Sequence, residues 1–185
     1  MECAGLLLTG GASTRMGRDK ATIAIGGSTL AARTAAVLAA VAAPCIEVGP
    51  GVSGLPAVQE EPPGAGPLTA LAAGAAALPM ATPSLVVACD LPALSEALLR
   101  WLAGHPGPGS VVPVWEGRPQ TLCARWSAPS LARAVALVAA GARSVRALLD
   151  ASDAVLVTVP PSLAPALADV DTPEQLARIV GIDST

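Results

Sequence analysis

The chain has no phenylalanine, no tyrosine, one histidine (His105) and one lysine (Lys20) in 185 residues. Without aromatic platforms, the base stacking used to hold single-stranded nucleic acid is nearly excluded. His105 stands alone in the Gly/Pro-rich stretch GHPGPG, so a histidine triad or a zinc site has almost no material. Cysteine is also sparse: Cys3, Cys45, Cys89 and Cys123 are each at least thirty residues from the next, inside apolar, strand-like runs. With no CxxC or metal-ligand spacing, they read as buried, reduced thiols. Charge is scarce at 14% of residues, and 11 basic against 14 acidic side chains give a net of -3 and a pI near 5.0. That balance argues against nucleic acid or an anionic membrane as a partner, so any anion must be met by a local cluster.

What is abundant is small and apolar. Hydrophobic residues make up 52% of the chain and alanine about a fifth, which implies a core of Ala, Val and Leu in thin, closely approaching helices. A domain of this size buries roughly 70% of its unfolded surface, so residues 1–185 read as one domain needing no disulfide or structural metal. The mean hydropathy is +0.59, and residues 65–89 carry no charge, a stretch long enough to span a bilayer. Pro67, Gly74, Pro79 and Pro83 interrupt it, however, and its bulk is alanine, which drives insertion weakly. The N-terminal apolar run ends by Leu8 without a basic segment before it, so a cytoplasmic protein is expected.

Short apolar runs alternate with Ala/Leu segments, the pattern of βαβ units around a mostly parallel sheet. Strands are predicted over Cys3 to Thr9, Cys45 to Val48, Ala57 to Gln59, Leu85 to Cys89 and Val155 to Val159. Helices are predicted over Thr29 to Ala42 with Ser28 as N-cap, from Pro67 through LTALAAGAAAL, after Ser95 to Ala103, and near Pro129 to Ala140 and Val145 to Ala151. Ser110 to Trp115 and Gln120 to Trp126, joined by Glu116-Gly117-Arg118, suggest a hairpin or tight excursion. Thr172, Pro173 and Gln175 form a capping pattern for a terminal helix to about Val180.

The segment LLLTGGASTRMGRDK leaves a buried strand as a glycine-rich loop and then supplies Arg15, Arg18 and Lys20 within six residues. Backbone N–H groups beside clustered cations make a phosphate cradle, although the spacing matches neither GxxxxGK[ST] nor GxGxxG. An ordinary βα turn with solvated charges is the plain alternative. Lys20 weakens it, because every other cation in the chain is arginine and a compact ammonium on a flexible stem suits a polyphosphate. Asp90 ends the run SLVVAC, at the strand edge where α/β sheets bind ligands, and one carboxylate plus phosphate oxygens can hold Mg²⁺. Asp90 could equally cap the Leu-Pro turn. Asp169 and Asp171 could complete the metal site or serve only as helix-capping acids. Glu60 and Glu61 could accept hydrogen bonds from a nucleobase or ribose, or be plain surface acids. Trp115 and Trp126 fit a buried core better than a ligand platform.

Taken together, LTGGASTRMGRDKA, GAGPLTALAAG, VVACDLPAL and DVDTPEQL resemble, in the same order, the motifs of the molybdenum cofactor guanylyltransferases, within a wider group of molybdopterin and sugar-phosphate nucleotidyltransferases. The resemblance spans nearly the whole chain. It implies a three-layer Rossmann-like α/β fold, with helices on both faces of the sheet. It also implies Mg²⁺-dependent transfer of GMP from GTP to the phosphate of Mo-molybdopterin, with release of pyrophosphate. By position, Leu8, Thr9 and Gly10 would meet guanine and ribose through the backbone, Lys20 would contact the phosphates, Glu60 would stand where the family usually has Asp, and Asp90 would hold the metal. Gly10-Gly11 favours guanine, since the related cytidylyltransferases generally read Leu-Ala-Ala-Gly there. The chain departs from the family at Thr9 for the usual Ala, at Glu60, and at Asp169 and Asp171, where Asn is common.

The implied chemistry needs no general base, because a phosphate monoester is largely ionised near neutral pH, its second pKa being about 6. Arg15, Arg18, Lys20 and the metal would stabilise charge on the α-phosphate and the leaving pyrophosphate. Arg118 would bind the acceptor's phosphate or be a solvated hairpin residue. The partners implied are GTP, Mo-molybdopterin and enzymes that make or receive the cofactor. Three alternatives remain open: use of CTP, a sugar phosphate or phospholactate as acceptor, and a non-catalytic nucleotide-binding module.

Overall fold

The computed structural model describes residues 2–10, 20–79 and 82–170. The predicted terminal helix and its capping residues from Thr172 onward therefore lie outside the described residues, as does most of the loop after Gly10.

Three apolar runs become the parallel core: β1 (Ala4–Leu8), β4 (Cys45–Val48) and β6 (Ser84–Ala88), with β1 in the middle. Continuous apolarity is what a strand covered on both faces requires, and all five residues of β1 are buried. A short β5 (Ala57–Val58) extends the sheet beyond β4. On the other side the chain departs from a purely parallel pattern. β7 (Val111–Trp115) turns through Glu116 and Gly117, both at positive φ, into β8 (Arg118–Pro119), and β9 (Cys123–Trp126) then runs antiparallel between β6 and β7. The parallel edge strand β10 (Val155–Thr158) completes the order β10-β7-β9-β6-β1-β4-β5.

Helices cover both faces. α1 (Leu30–Ala39) and α3 (Glu96–Gly104) contribute to one buried cluster, and α2 (Pro67–Ala77), α4 (Ala128–Ala139) and α5 (Val145–Asp150) to the other. The expected three-layer α/β architecture is therefore present. β1 alternates between the two clusters, Leu7 in the first and Leu6 and Leu8 in the second. A Cβ added to Gly74 in α2 would come within 2.7 Å of Val48 Cγ2 and 2.9 Å of Leu6 Cδ2, so this helix lies on the sheet at a separation only glycine permits.

One cap differs from expectation. Ser28 and Thr29 pair as β3 with Ala24–Ile25 (β2), so Ser28 is committed to a small hairpin and Thr29 caps α1, accepting from Ala32 N at 3.1 Å. Ser95 caps α3 as expected, accepting from Leu98 N. Trp126 is fully buried and donates Nε1–H to the Thr121 carbonyl, while Trp115 packs against the first cluster, so both tryptophans serve the core. No helix among the described residues is long and apolar enough to cross a membrane; the uncharged 65–89 stretch is instead α2 and β6.

Candidate active site

After β1 the chain runs through α1 to β4 on one side, then returns through α2 to β6 on the other. The direction of winding therefore reverses at β1, and such a switch point leaves a crevice beyond the carboxyl ends of the strands. A cavity of about 360 Å³ lies there. Leu8, Thr9 and Gly10 enter it from the end of β1 and Ala88, Cys89 and Asp90 from the end of β6, joined where Cys89 N donates to Leu8 O at 3.1 Å. Lys20, in a 3-10 turn over Lys20–Thr22, lines the same cavity. Glu60, Gly64, Gly66, Pro67 and Ala70 supply another wall, and Leu122 closes the β9 side.

The two acids of the Glu60-Glu61 pair are divided by the backbone. Glu61 is exposed, whereas Glu60 is 4% exposed and faces the cavity. Glu60 Oε1 accepts from Gly64 N at 2.9 Å, which ties the turn to the carboxylate. Its Oε2 is buried and has no hydrogen-bond partner among the described residues. Gly10 lies against this group: a Cβ there would sit 3.4 Å from Oε1 and 3.8 Å from Oε2. Beyond the turn, α2 begins at Pro67 with Gly66 as N-cap at φ 108°, so no side chain caps the helix end that opens on the cavity.

Asp90 is half-buried, and its carbonyl accepts from Val170 N at 3.0 Å. That bond brings the backbone at 169–170 alongside the end of β6; Asp169 itself is exposed there. Gly11, Arg15, Arg18 and Asp171 lie outside the described residues. Arg118 is exposed on the β7–β8 hairpin and is not part of the cavity wall. Cys123 lies close enough to feel the site: burial, and secondarily the nearby charge of Asp90, push it up to about 12. It is inert near neutral pH, in keeping with a structural role.

Two buried charges escaped the sequence reading. Glu47 in β4 and Arg125 in β9 are both fully buried. A single charge inside an otherwise apolar strand, as in CIEV and CARW, was the available signal.

Residues 5–156 match the family model described as the MobA-like NTP transferase domain. A relative from Mycobacterium avium, named as a probable molybdenum cofactor guanylyltransferase, is 39% identical over 97% of this chain and 95% of its own length. The chain belongs to the MobA-like NTP transferase family. Two solved structures share its fold: a nucleotidyl transferase from Methanothermobacter thermautotroptrophicus (TM-score 0.77, 21% identity, 98% of this chain and 97% of that one) and molybdopterin-guanine dinucleotide biosynthesis protein A from Archaeoglobus fulgidus (TM-score 0.75, 20% identity, 98% of each). The Leu8–Gly10, Lys20, Glu60 and Asp90 positions converge on the crevice at the switch point.

Proposed function

We propose that this MobA-like NTP transferase is a molybdenum cofactor guanylyltransferase, moving GMP from GTP to the phosphate of Mo-molybdopterin and releasing pyrophosphate. The observation that carries the reading is the buried Oε2 of Glu60, which has no partner among the described residues and lies near Gly10. A carboxylate can accept from both N1–H and the exocyclic amine of guanine; cytosine offers it one amine next to a ring acceptor. The relative from M. avium, so named and 39% identical, supports the same substrate.

In this reading the backbone of Leu8, Thr9 and Gly10 lies along the nucleoside and Lys20 meets the phosphates. Arg15, Gly11 and Arg18 belong to the same loop in sequence, and the cations add charge that the phosphates need. Asp90 fits Mg²⁺ by the chemistry of its donor: a half-buried carboxylate at the cavity edge, with room for phosphate oxygens and water. Asp169 or Asp171 would supply a second oxygen from the returning segment. Magnesium bound there would neutralise developing charge on the transferred and leaving phosphates. Arg118, at the hairpin, is the proposed acceptor contact. Since the acceptor phosphate is already ionised, the chain has to place two polyanions and damp their repulsion, which it can do with no general base. The reaction draws on the cytoplasmic GTP pool, and we place the protein there.

The experiment is pyrophosphate release from a matrix of nucleotides and acceptors. Release with GTP, Mg²⁺ and the molybdenum-bound pterin is expected, and little with CTP. Equal turnover with CTP overturns the base assignment, turnover only with a sugar phosphate or phospholactate overturns the acceptor, and GTP binding without release overturns the enzyme.

A further inference from the structure

Burying a carboxylate in the middle of a sheet is costly unless its oxygens are satisfied, and β4 contains one at Glu47. Among the described residues no cation hydrogen-bonds to it. Oε1 accepts from Gly51 N at 2.8 Å, from Val52 N at 3.0 Å and from the Thr9 hydroxyl, and Oε2 accepts from Ser53 N at 2.7 Å. Successive backbone N–H groups thus wrap the anion in a nest. Burial alone would raise this carboxyl, but the hydrogen bonds from Ser53, Thr9 and Val52 prevail and hold it below the usual carboxylate range. Glu47 is charged, and its charge is spent on loop geometry.

The loop so folded bears directly on the nucleotide site. β1 ends at Leu8, and beyond it Thr9 N and Gly10 N share one carbonyl, that of Val48, at 3.1 and 3.4 Å. Sheet pairing therefore holds Gly10 weakly. Close approach to Gly49 limits it on one side. Gly49 has φ 150°, and a Cβ there would overlap Thr9 Oγ1 and come within 2.9 Å of Gly10 N. Gly10 itself is exposed, and a Cβ on it would meet the Glu60 carboxylate at 3.4 Å and Gly49 Cα at 3.9 Å. We propose that Glu47 is a positioning residue of the nucleotide site: by holding the Thr9 hydroxyl on one side and the 51–53 backbone on the other, it fixes Gly10 at its distance from Glu60. Glu47 does not line the cavity, so it acts through Thr9. This inference rests on the cavity being the GTP site.

The test compares Thr9→Val, which keeps the shape and removes the hydroxyl, with Glu47→Gln and the double variant. A hydrogen bond to a buried charge is worth more than one between neutral groups. Each single variant is expected to weaken GTP binding in calorimetry, and raise KM for GTP, by about tenfold, with kcat changed less than about threefold. The double variant should lose less than the product of the two single losses, because Thr9→Val removes the hydrogen bond that Glu47→Gln only strips of its charge assistance. Amide exchange at residues 9–10 should quicken in the nucleotide-free protein. If Glu47→Gln does not fold, Thr9→Val decides alone. Unchanged GTP affinity and unchanged exchange in Thr9→Val, or a loss confined to kcat, overturn the role of Glu47 while leaving the GTP site standing. Failure of the unaltered protein to bind GTP overturns the site reading itself, and this inference with it.

Discussion

Glu60→Gln separates binding from folding more sharply than any other single change. The substitution keeps the side chain's shape, and Gln Oε1 can still accept from Gly64 N, so the 60–64 turn should persist. It replaces Oε2, the buried atom without a partner among the described residues, by an amide donor. Toward guanine, one charge-assisted hydrogen bond is lost and an N–H is set against an N–H. At about 2 kcal/mol for such a bond, GTP affinity should fall roughly thirtyfold. Inosine triphosphate lacks the exocyclic amine, so the unaltered protein should prefer GTP to it by about tenfold, and the variant should lose most of that preference. Stability should move the other way. A carboxylate oxygen buried without a partner opposes folding of the empty protein, so Glu60→Gln should melt no lower than the parent and up to about 1 kcal/mol more stably. Calorimetry with both nucleotides and a thermal melt of the free protein measure all three quantities. A GTP to inosine triphosphate ratio unchanged by the substitution, with GTP affinity within twofold, would refute the assignment of Oε2 to the base.

Three further outcomes are expected. Asp90→Asn should lower pyrophosphate release at least a hundredfold at fixed Mg²⁺ while circular dichroism stays unchanged, and an unaffected rate would remove Asp90 from the mechanism. Arg125 donates to five carbonyls, those of Leu102, Ala103, His105, Gly107 and Gly109, and so ties the end of α3 to the Gly/Pro loop. Arg125→Met should cost about 3 kcal/mol in denaturant unfolding, and a loss below about 1 kcal/mol would show that solvent replaces those bonds easily. Cys123 stays protonated in the fold to about pH 12, whereas the unfolded thiol ionises near its ordinary 9.0. A raised folded pKa means its contribution is intact below pH 9 and drains away as pH climbs toward 12, by about 1.4 kcal/mol per unit. Cys123→Ala should flatten the alkaline decline by that slope, and identical slopes would contradict the burial argument.

The sheet's parallel half was readable because its strands carry their own signal. AGLLL, CIEV and SLVVA are nearly unbroken apolar runs, as strands covered on both faces must be. Pro67 and Ser95 likewise announced their helices through local chemistry. β9 carried only part of its signal. QTLCARW reads as one arm of a hairpin or tight excursion with Ser110 to Trp115, which fits its antiparallel pairing with β7, but its insertion beside β6 depends on a partner far away in sequence. The Ser28 cap failed for a related reason: its preference for a helix start is real, but pairing with Ile25 claims its backbone first. At the site, Gly10, Lys20, Glu60 and Asp90 could be picked out as residue types at strand ends. Glu47 stood out only as a lone charge in CIEV; its use could not be read, since it lies in where four hydrogen-bond donors from two segments converge, and convergence is a property of the fold.

The thinness of the core and the form of the cavity share one cause. α2 lies so close to β1 and β4 that Gly74 has no room for a Cβ, and its neighbours there are Leu6 and Val48. Val48 is also the residue whose carbonyl receives Thr9 and Gly10, and Leu6 lies two residues before Leu8 at the cavity edge. The helix that begins at the cavity's Gly66–Pro67 wall is therefore seated on the same strand ends that carry the Thr9–Gly10 wall, and both walls are referred to one pair of side chains. Alanine and glycine in α2 permit that seating; bulkier residues would lift the helix and open the gap between Glu60 and Gly10. A reaction that needs no proton-transfer group, only two polyanions held at a fixed separation, depends more on such spacing than on side-chain reactivity. The small residues of α2 and the spacing of the cleft walls are thus linked through Leu6 and Val48.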